Sequence, residues 1–125
     1  MKLVLENGTL IDGSGGPPVP GARVLVENGR IVETGHSGDR SVSPERGDRV
    51  FDLTGKSILP GLIDTHVHSC FPVIDRTGPS QIPQIKGDPD YVMLSRAIYN
   101  VQNALRSGVT TVRDAGGRGA ITIWA

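Results

Sequence analysis

Polar and apolar positions alternate in short bursts over the first 55 residues, with glycine, asparagine and proline between them. Alternation puts successive side chains on opposite faces of a strand, so this part of the chain predicts β structure. Two stretches match position by position: Val4-Leu5-Glu6-Asn7-Gly8-Thr9-Leu10-Ile11 and Leu25-Val26-Glu27-Asn28-Gly29-Arg30-Ile31-Val32. Each holds Asn-Gly between apolar flanks, the strongest short-range hairpin signal, and so predicts a hairpin. A duplicated binding module would give the same pattern, but two hairpins with shared turn chemistry account for it more simply. Gly13 to Pro20, reading GSGGPPVP, predicts a loop, because proline cannot donate to a central ladder. Phe51 to Leu53 and Ser57 to Leu59 predict further strands around a Thr54-Gly55-Lys56 turn. Ser37 to Asp48 is polar and aperiodic, a connector with His36 exposed at its start.

The pattern then changes. Pro60-Gly61 breaks the chain, and Leu62-Ile63 leads into Asp64-Thr65-His66-Val67-His68. The run is apolar on both faces, as a buried parallel strand requires. Ser69 to Gly87 predicts an irregular loop, with Pro72, Pro79 and Pro83 blocking regular structure. Leu94, Ala97, Ile98, Val101, Ala104 and Leu105 recur at helical spacing and predict an apolar stripe, with Arg96, Asn100, Asn103 and Arg106 pointing elsewhere. Asp88 or Asp90 would cap this helix, Pro89 suits its first turn, and Ser107-Gly108 would stop it. Val109 to Val112 is rich in β-branched residues and predicts a second strand, completing a βαβ unit. Gly116-Gly117-Arg118-Gly119 lacks the lysine and hydroxyl of a P-loop and the spacing of a dinucleotide fingerprint, so it predicts a flexible loop. Ile121 to Ala125 would begin another helix.

Composition narrows the class. The 125 residues allow one ordinary domain and a modest core, too few for a (β/α)8 barrel of about 200 residues or more. Thirteen basic and thirteen acidic side chains cancel, and without a basic run there is no nucleic-acid footprint. Seventeen glycines, nine prolines and only 4% aromatics describe a turn-rich chain with few large anchors for a core. Glu6 and Asn7 cut the amino-terminal apolar run too short for a signal peptide, and no stretch approaches the ~20 apolar residues of a membrane span. With a single cysteine no internal disulfide forms, and a soluble cytoplasmic protein is the expectation.

The candidate chemistry sits at the end of the first apolar strand. Residues two apart on a strand share a face, so His66 and His68 would stand side by side with two imidazole nitrogens able to converge on one ion. Neutral imidazole suits zinc and its first-row neighbours. A bare His-x-His pair also occurs on solvated strands without any ligand, and a catalytic zinc needs a third protein ligand and an open position. Cys70 falls on the same strand parity, but a small buried apolar residue is the simpler reading. Asp64 lies one step deeper on the shared face and would either orient His66 or serve packing. Asp114 ends the second strand, either facing the site or accepting backbone hydrogen bonds from the next turn.

The phrase PGLIDTHVH resembles the first barrel strand of the amidohydrolase superfamily, metal-dependent hydrolases built on a (β/α)8 barrel. GARVLVENGRIVETG and FDLTGKSILPG look like the small β-domain that precedes that barrel, and ALRSGVTTVRDAGG looks like the end of its first helix and its second strand. Within the superfamily the phrases are most similar to imidazolonepropionases and Xaa-Pro dipeptidase-like enzymes. The resemblance implies an α/β protein: a small β-sandwich-like domain over residues 1–59, followed over residues 60–125 by the opening units of an incomplete barrel. It implies His66 and His68 as metal ligands, one or two divalent ions with zinc foremost, and hydrolysis of C–N bonds by metal-activated water. The substrate would be a small amide or dipeptide-like molecule, and the resemblance allows a homo-oligomer. A bridging lysine or glutamate, two further histidines and a catalytic aspartate would come from later strands. Lys86, in a proline-rich loop, is no substitute. A chain of these 125 residues is therefore expected to be an inactive amino-terminal portion of such an enzyme, with open strand edges and an uncovered apolar face. A non-catalytic metal-binding or interaction module, taking a third ligand from Cys70, His36 or a second chain, is the alternative from another class.

Overall fold

Strand β1 (Lys2–Leu10) organises the first half of the chain, with strands on both its edges. β2 (Val19–Glu27) runs antiparallel along one edge, and β3 (Arg30–His36) pairs antiparallel with β2 beyond it. β4 (Arg49–Asp52) and β5 (Ser57–Ile58) lie end to end along the other edge, both parallel to β1. The computed structural model describes residues 2–38, 46–72 and 87–124. It divides into two compact units, Met1–Pro60 and Gly61–Ala125. Most of the predicted polar connector lies outside the described residues, as do residues 73–86 of the proline-rich loop with Pro79, Pro83 and Lys86.

The first unit is a five-stranded sheet whose buried hydrophobic side chains are Val4, Ala22, Val24, Leu25 and Ile58. Glu6 and Arg23 face each other across β1 and β2, and their side chains approach to 3.6 Å, a cross-strand charge pair on a largely buried arginine. The second Asn-Gly is the hairpin turn that its sequence predicts. Asn28 (φ 51°) and Gly29 (φ 74°) both take the left-handed conformation of a two-residue turn between β2 and β3. The first Asn-Gly is not a hairpin. β1 continues through it, and Asn7 (φ 66°) marks a bulge where the register with β2 shifts between Glu6 and Gly8. Gly8 is buried so tightly that an added Cβ would lie 2.9 Å from Ile58 and 3.3 Å from Leu53. With β2 already on one side and β4 and β5 on the other, a straight strand buries more than a turn would. That also removes the case for a duplicated module.

Two smaller expectations shift. The loop predicted over Gly13 to Pro20 ends sooner, because β2 begins at Val19. Pro20 is tolerated there since β3 pairs with β2 only from Ala22 onward. His36 is exposed but closes β3 rather than opening a loop. The Thr54-Gly55-Lys56 turn forms as predicted, closed by the Lys56 N–H donating to the Leu53 carbonyl at 2.9 Å.

The second unit is a strand, a helix and a parallel strand: β6 (Leu62–Val67), α1 (Asp90–Arg106) and β7 (Val109–Asp114), followed by a short α2 (Ile121–Trp124). The predicted helix therefore exists, but its cap does not. Pro89 occupies the N-cap position without a side-chain hydrogen bond, because Asp88 pairs with Arg96 and Asp90 with Arg118. Gly108 follows the helix at φ 92°, as its place in the sequence predicts. The packed face is rotated from the predicted stripe. Met93 and Ala97 are buried with Cys70 and Ile121, while Ile98 and Leu105 are exposed. The loop at Gly116–Gly119 is tied down, with Arg118 donating to the Asp88 carbonyl and the Asp90 carboxylate.

β6 departs most from expectation. Leu62 is 53% and Ile63 67% exposed, not buried. Among the described strands β6 pairs only with β7, so one edge stays open beside the exposed Leu62 and Ile63. No helix among the described residues is long and apolar enough to cross a membrane.

Candidate metal centre

His66 and His68 stand at the carboxyl end of β6, where parallel sheets in α/β proteins place their ligands. They stand side by side, as their spacing predicts. The register between β6 and β7 shifts between Asp64 and Val67, so three steps on β6 oppose two on β7. A bulge of this kind re-aims side chains at a strand end. The two imidazole ring centroids lie 5.3 Å apart with planes inclined at 78°.

His68 is held on both sides of its ring. Its Nδ1 lies 3.0 Å from the Gly116 carbonyl oxygen. A carbonyl only accepts, so Nδ1 carries the proton and Nε2 keeps a lone pair available to a metal. Phe71 stacks on the other side, 4.7 Å between centroids at 10°. The backbone after His68 turns back at once, the Phe71 N–H donating to the His68 carbonyl at 3.0 Å. Cys70 is therefore beyond the strand, and parity no longer relates it to the histidines. Its side chain is fully buried in the apolar cluster. Burial, and after it the charge of Asp114, raise its thiol pKa above the ordinary value, so a thiolate ligand is disfavoured there.

Asp64 and Asp114 behave differently. The Asp64 carboxylate accepts from the backbone N–H of His66 at 3.1 Å, which braces the strand end rather than the ring. Asp114 accepts through Oδ2 from the Ser69 N–H at 2.9 Å and the Ser69 hydroxyl at 2.5 Å, and through Oδ1 from the Gly116 N–H at 3.0 Å. Burial pushes its pKa up, but the Ser69 hydroxyl, the two backbone N–H groups and nearby His68 outweigh that and hold it below the usual carboxylate value. Asp114 thus ties the residue after His68 to the residue whose carbonyl holds His68.

The two imidazoles fit a zinc-class ion in kind. Among the described residues no group of three histidine, cysteine or carboxylate side chains comes together to complete a metal site. His36 belongs to the first unit's β3. Sequence reasoning passed over Ser69, Phe71, Gly116, Arg96 and Asn100. The signal available was weak: two polar residues four apart on the helix, Arg96 and Asn100, which the stripe pattern assigns to solvent.

Fold and site define a mixed α/β protein with a histidine pair at the end of a parallel strand. A sequence profile of the amidohydrolase family matches residues 57–123, more than half of the chain, and the chain belongs to that family. It is similar to the imidazolonepropionase of Symbiobacterium thermophilum, with 32% identity over 81 residues, covering 55% of this chain and 19% of that protein. It is also similar to the 5-methylthioadenosine/S-adenosylhomocysteine deaminase of Thermococcus kodakarensis, 32% identical over 126 residues, 91% of this chain and 28% of that one. Among solved structures, a prolidase complexed with N-methylphosphonate-L-proline matches with a TM-score of 0.75 at 28% identity, over 93% of this chain and 26% of that one. The chain spans less than a third of the length of each of these proteins.

Proposed function

We propose that this chain supplies the opening of a metal-dependent amidohydrolase, in which His66 and His68 are two ligands of a divalent ion, zinc by the chemistry of the donors. In this reading β6, α1 and β7 are the first units of a (β/α)8 barrel from residue 60 onward. Residues 1–59 form half of a composite β-sandwich, and the protein works in the cytoplasm. The single observation that carries the proposal is the His68 ring, fixed by the Gly116 carbonyl in the tautomer that leaves Nε2 for a metal, with His66 beside it.

The reaction class is hydrolysis of a C–N bond in a small amide, cyclic amide or dipeptide-like substrate, supported by the family and by the named activities of its relatives. The chemistry that such an ion supplies when bound is activation of water, whose pKa falls to about 7, and polarisation of a carbonyl oxygen. This chain's own residues prepare for it: Gly116 holds the proton at Nδ1 of His68, Asp114 fixes Ser69 and Gly116, and Asp64 braces the backbone at His66. Two ligands are fewer than a catalytic ion requires, so residues 1–125 alone are expected to bind zinc weakly and to hydrolyse nothing.

The test is a calorimetric zinc titration of the chain and of His66→Ala and His68→Ala. Each substitution should abolish the heat of binding. If both variants take up zinc as the unsubstituted chain does, the assignment fails.

A further inference from the structure

The three backbone carbonyls that follow His68 are all claimed by one helix. Asn100 on α1 donates both of its amide N–H groups, to the Ser69 carbonyl at 2.7 Å and to the Phe71 carbonyl at 2.9 Å. Arg96, one turn earlier, donates to the Cys70 carbonyl between them at 3.0 Å. Arg96 is itself held by Asp88 at 2.8 Å. From the opposite side Asp114 takes the N–H and hydroxyl of Ser69. A turn in open water would leave such carbonyls to solvent. Here each has a directed side-chain donor, and the turn they fix carries Phe71 onto the face of His68. A cavity of about 140 Å³ adjoins the same place, lined by His68, Ser69, Asn100 and Val101 among others. Cys70 anchors the turn on the core side, in the apolar cluster that Phe71 packs against, and the hydrogen bonds hold it on the cavity side.

We infer that Asn100 is a positioning residue for His68: by holding the Ser69 and Phe71 carbonyls it sets the turn that keeps the His68 ring between Gly116 and Phe71, with Nδ1 on the Gly116 carbonyl. Asn100 donates both amide hydrogens to these carbonyls and acts through the turn. Arg96 assists by taking the middle carbonyl. Its relevance to a metal rests on the proposed ligand role of His68; the placement of the ring does not.

The experiment uses the full chain with selectively 15N-labelled histidine, in mildly alkaline buffer where imidazole is neutral. Ring 15N shifts report which nitrogen carries the proton, and zinc titrations of the same samples report affinity. In the unsubstituted chain His68 should be protonated at Nδ1. In Asn100→Ala it should become a mixture of tautomers while His66 changes little, and zinc affinity should fall about 10- to 100-fold, as on loss of an outer hydrogen-bond partner of a ligand. Asn103→Ala, on the same helix but away from the turn, should leave both readouts unchanged. If Asn100→Ala does not fold, Asn100→Ser is read in its place, since it keeps a donor and admits water from the cavity. An unchanged His68 ring and an affinity within twofold of the unsubstituted chain, in a folded variant, overturn the inference. If the unsubstituted chain takes up no zinc while the His68 ring still responds to Asn100→Ala, the metal reading fails and the positioning role stands.

Discussion

Asp114 shows how one side chain can matter without being a ligand. Its carboxylate accepts three hydrogen bonds and its pKa is depressed. A depressed carboxylate stabilises the fold above its unfolded value of about 3.9, and that contribution disappears as pH falls through the folded value. Asp114→Asn puts an amide N–H against a donor that it cannot satisfy. We expect a loss of about 1–3 kcal/mol at neutral pH in urea melts, narrowing towards zero below about pH 4 as Asp114 itself becomes protonated. An equal gap at both pH values would show that the charge is irrelevant. Cys70 gives a second prediction. It is fully buried with a raised pKa, so alkylation should be slow in the native chain and fast in denaturant, and metal should not protect it further.

At the scale of elements, the two Asn-Gly pairs are the clearest lesson. Their flanking sequences are nearly interchangeable, yet one closes a hairpin and the other sits in a bulge inside β1. Local turn chemistry allows both outcomes. The choice falls to what lies alongside, since β1 gains partners on two edges by continuing. Gly29→Ala should therefore cost about 1–2 kcal/mol through its left-handed φ of 74° alone, while Asn28→Gly should be tolerated. The contact between β6 and β7 has its own marker. A Cβ on Gly61 would lie 2.0 Å from the Thr110 hydroxyl oxygen. Gly61→Ala should destabilise the second unit by about 1–3 kcal/mol, and Gly61→Ala with Thr110→Ser should not recover it, because the Cβ of residue 110, 2.7 Å from the added carbon, remains.

Across the whole chain, protection is unequal. Among the described residues β1 has hydrogen-bonded partners on both edges, whereas β6 has one and exposes Leu62 and Ile63. Amide hydrogen exchange should be slowest in β1 and the centre of β2 and markedly faster in β6 and β7. Equal protection in the two units would mean that the open face of β6 is covered in solution. An uncovered strand edge and apolar face also favour association between chains, and light scattering should rise with concentration for this chain.

The sequence by itself determined the elements that depend on near neighbours: the strand-rich first half, the second hairpin, the helix with its glycine stop, the parallel strands around it, and the family marked by PGLIDTHVH. It also marked the histidine pair as a candidate, because residue type and spacing are written in the sequence. What the tertiary structure alone decided is how those residues are held. The register shift between β6 and β7 beside His66, the Gly116 carbonyl at the His68 ring, the Asp114 bridge and the Asn100 grip all join positions distant in the sequence. No periodicity encodes such pairs. They come into being only when β6, α1 and β7 pack, since a hydrogen bond between distant residues depends on where the fold brings them together.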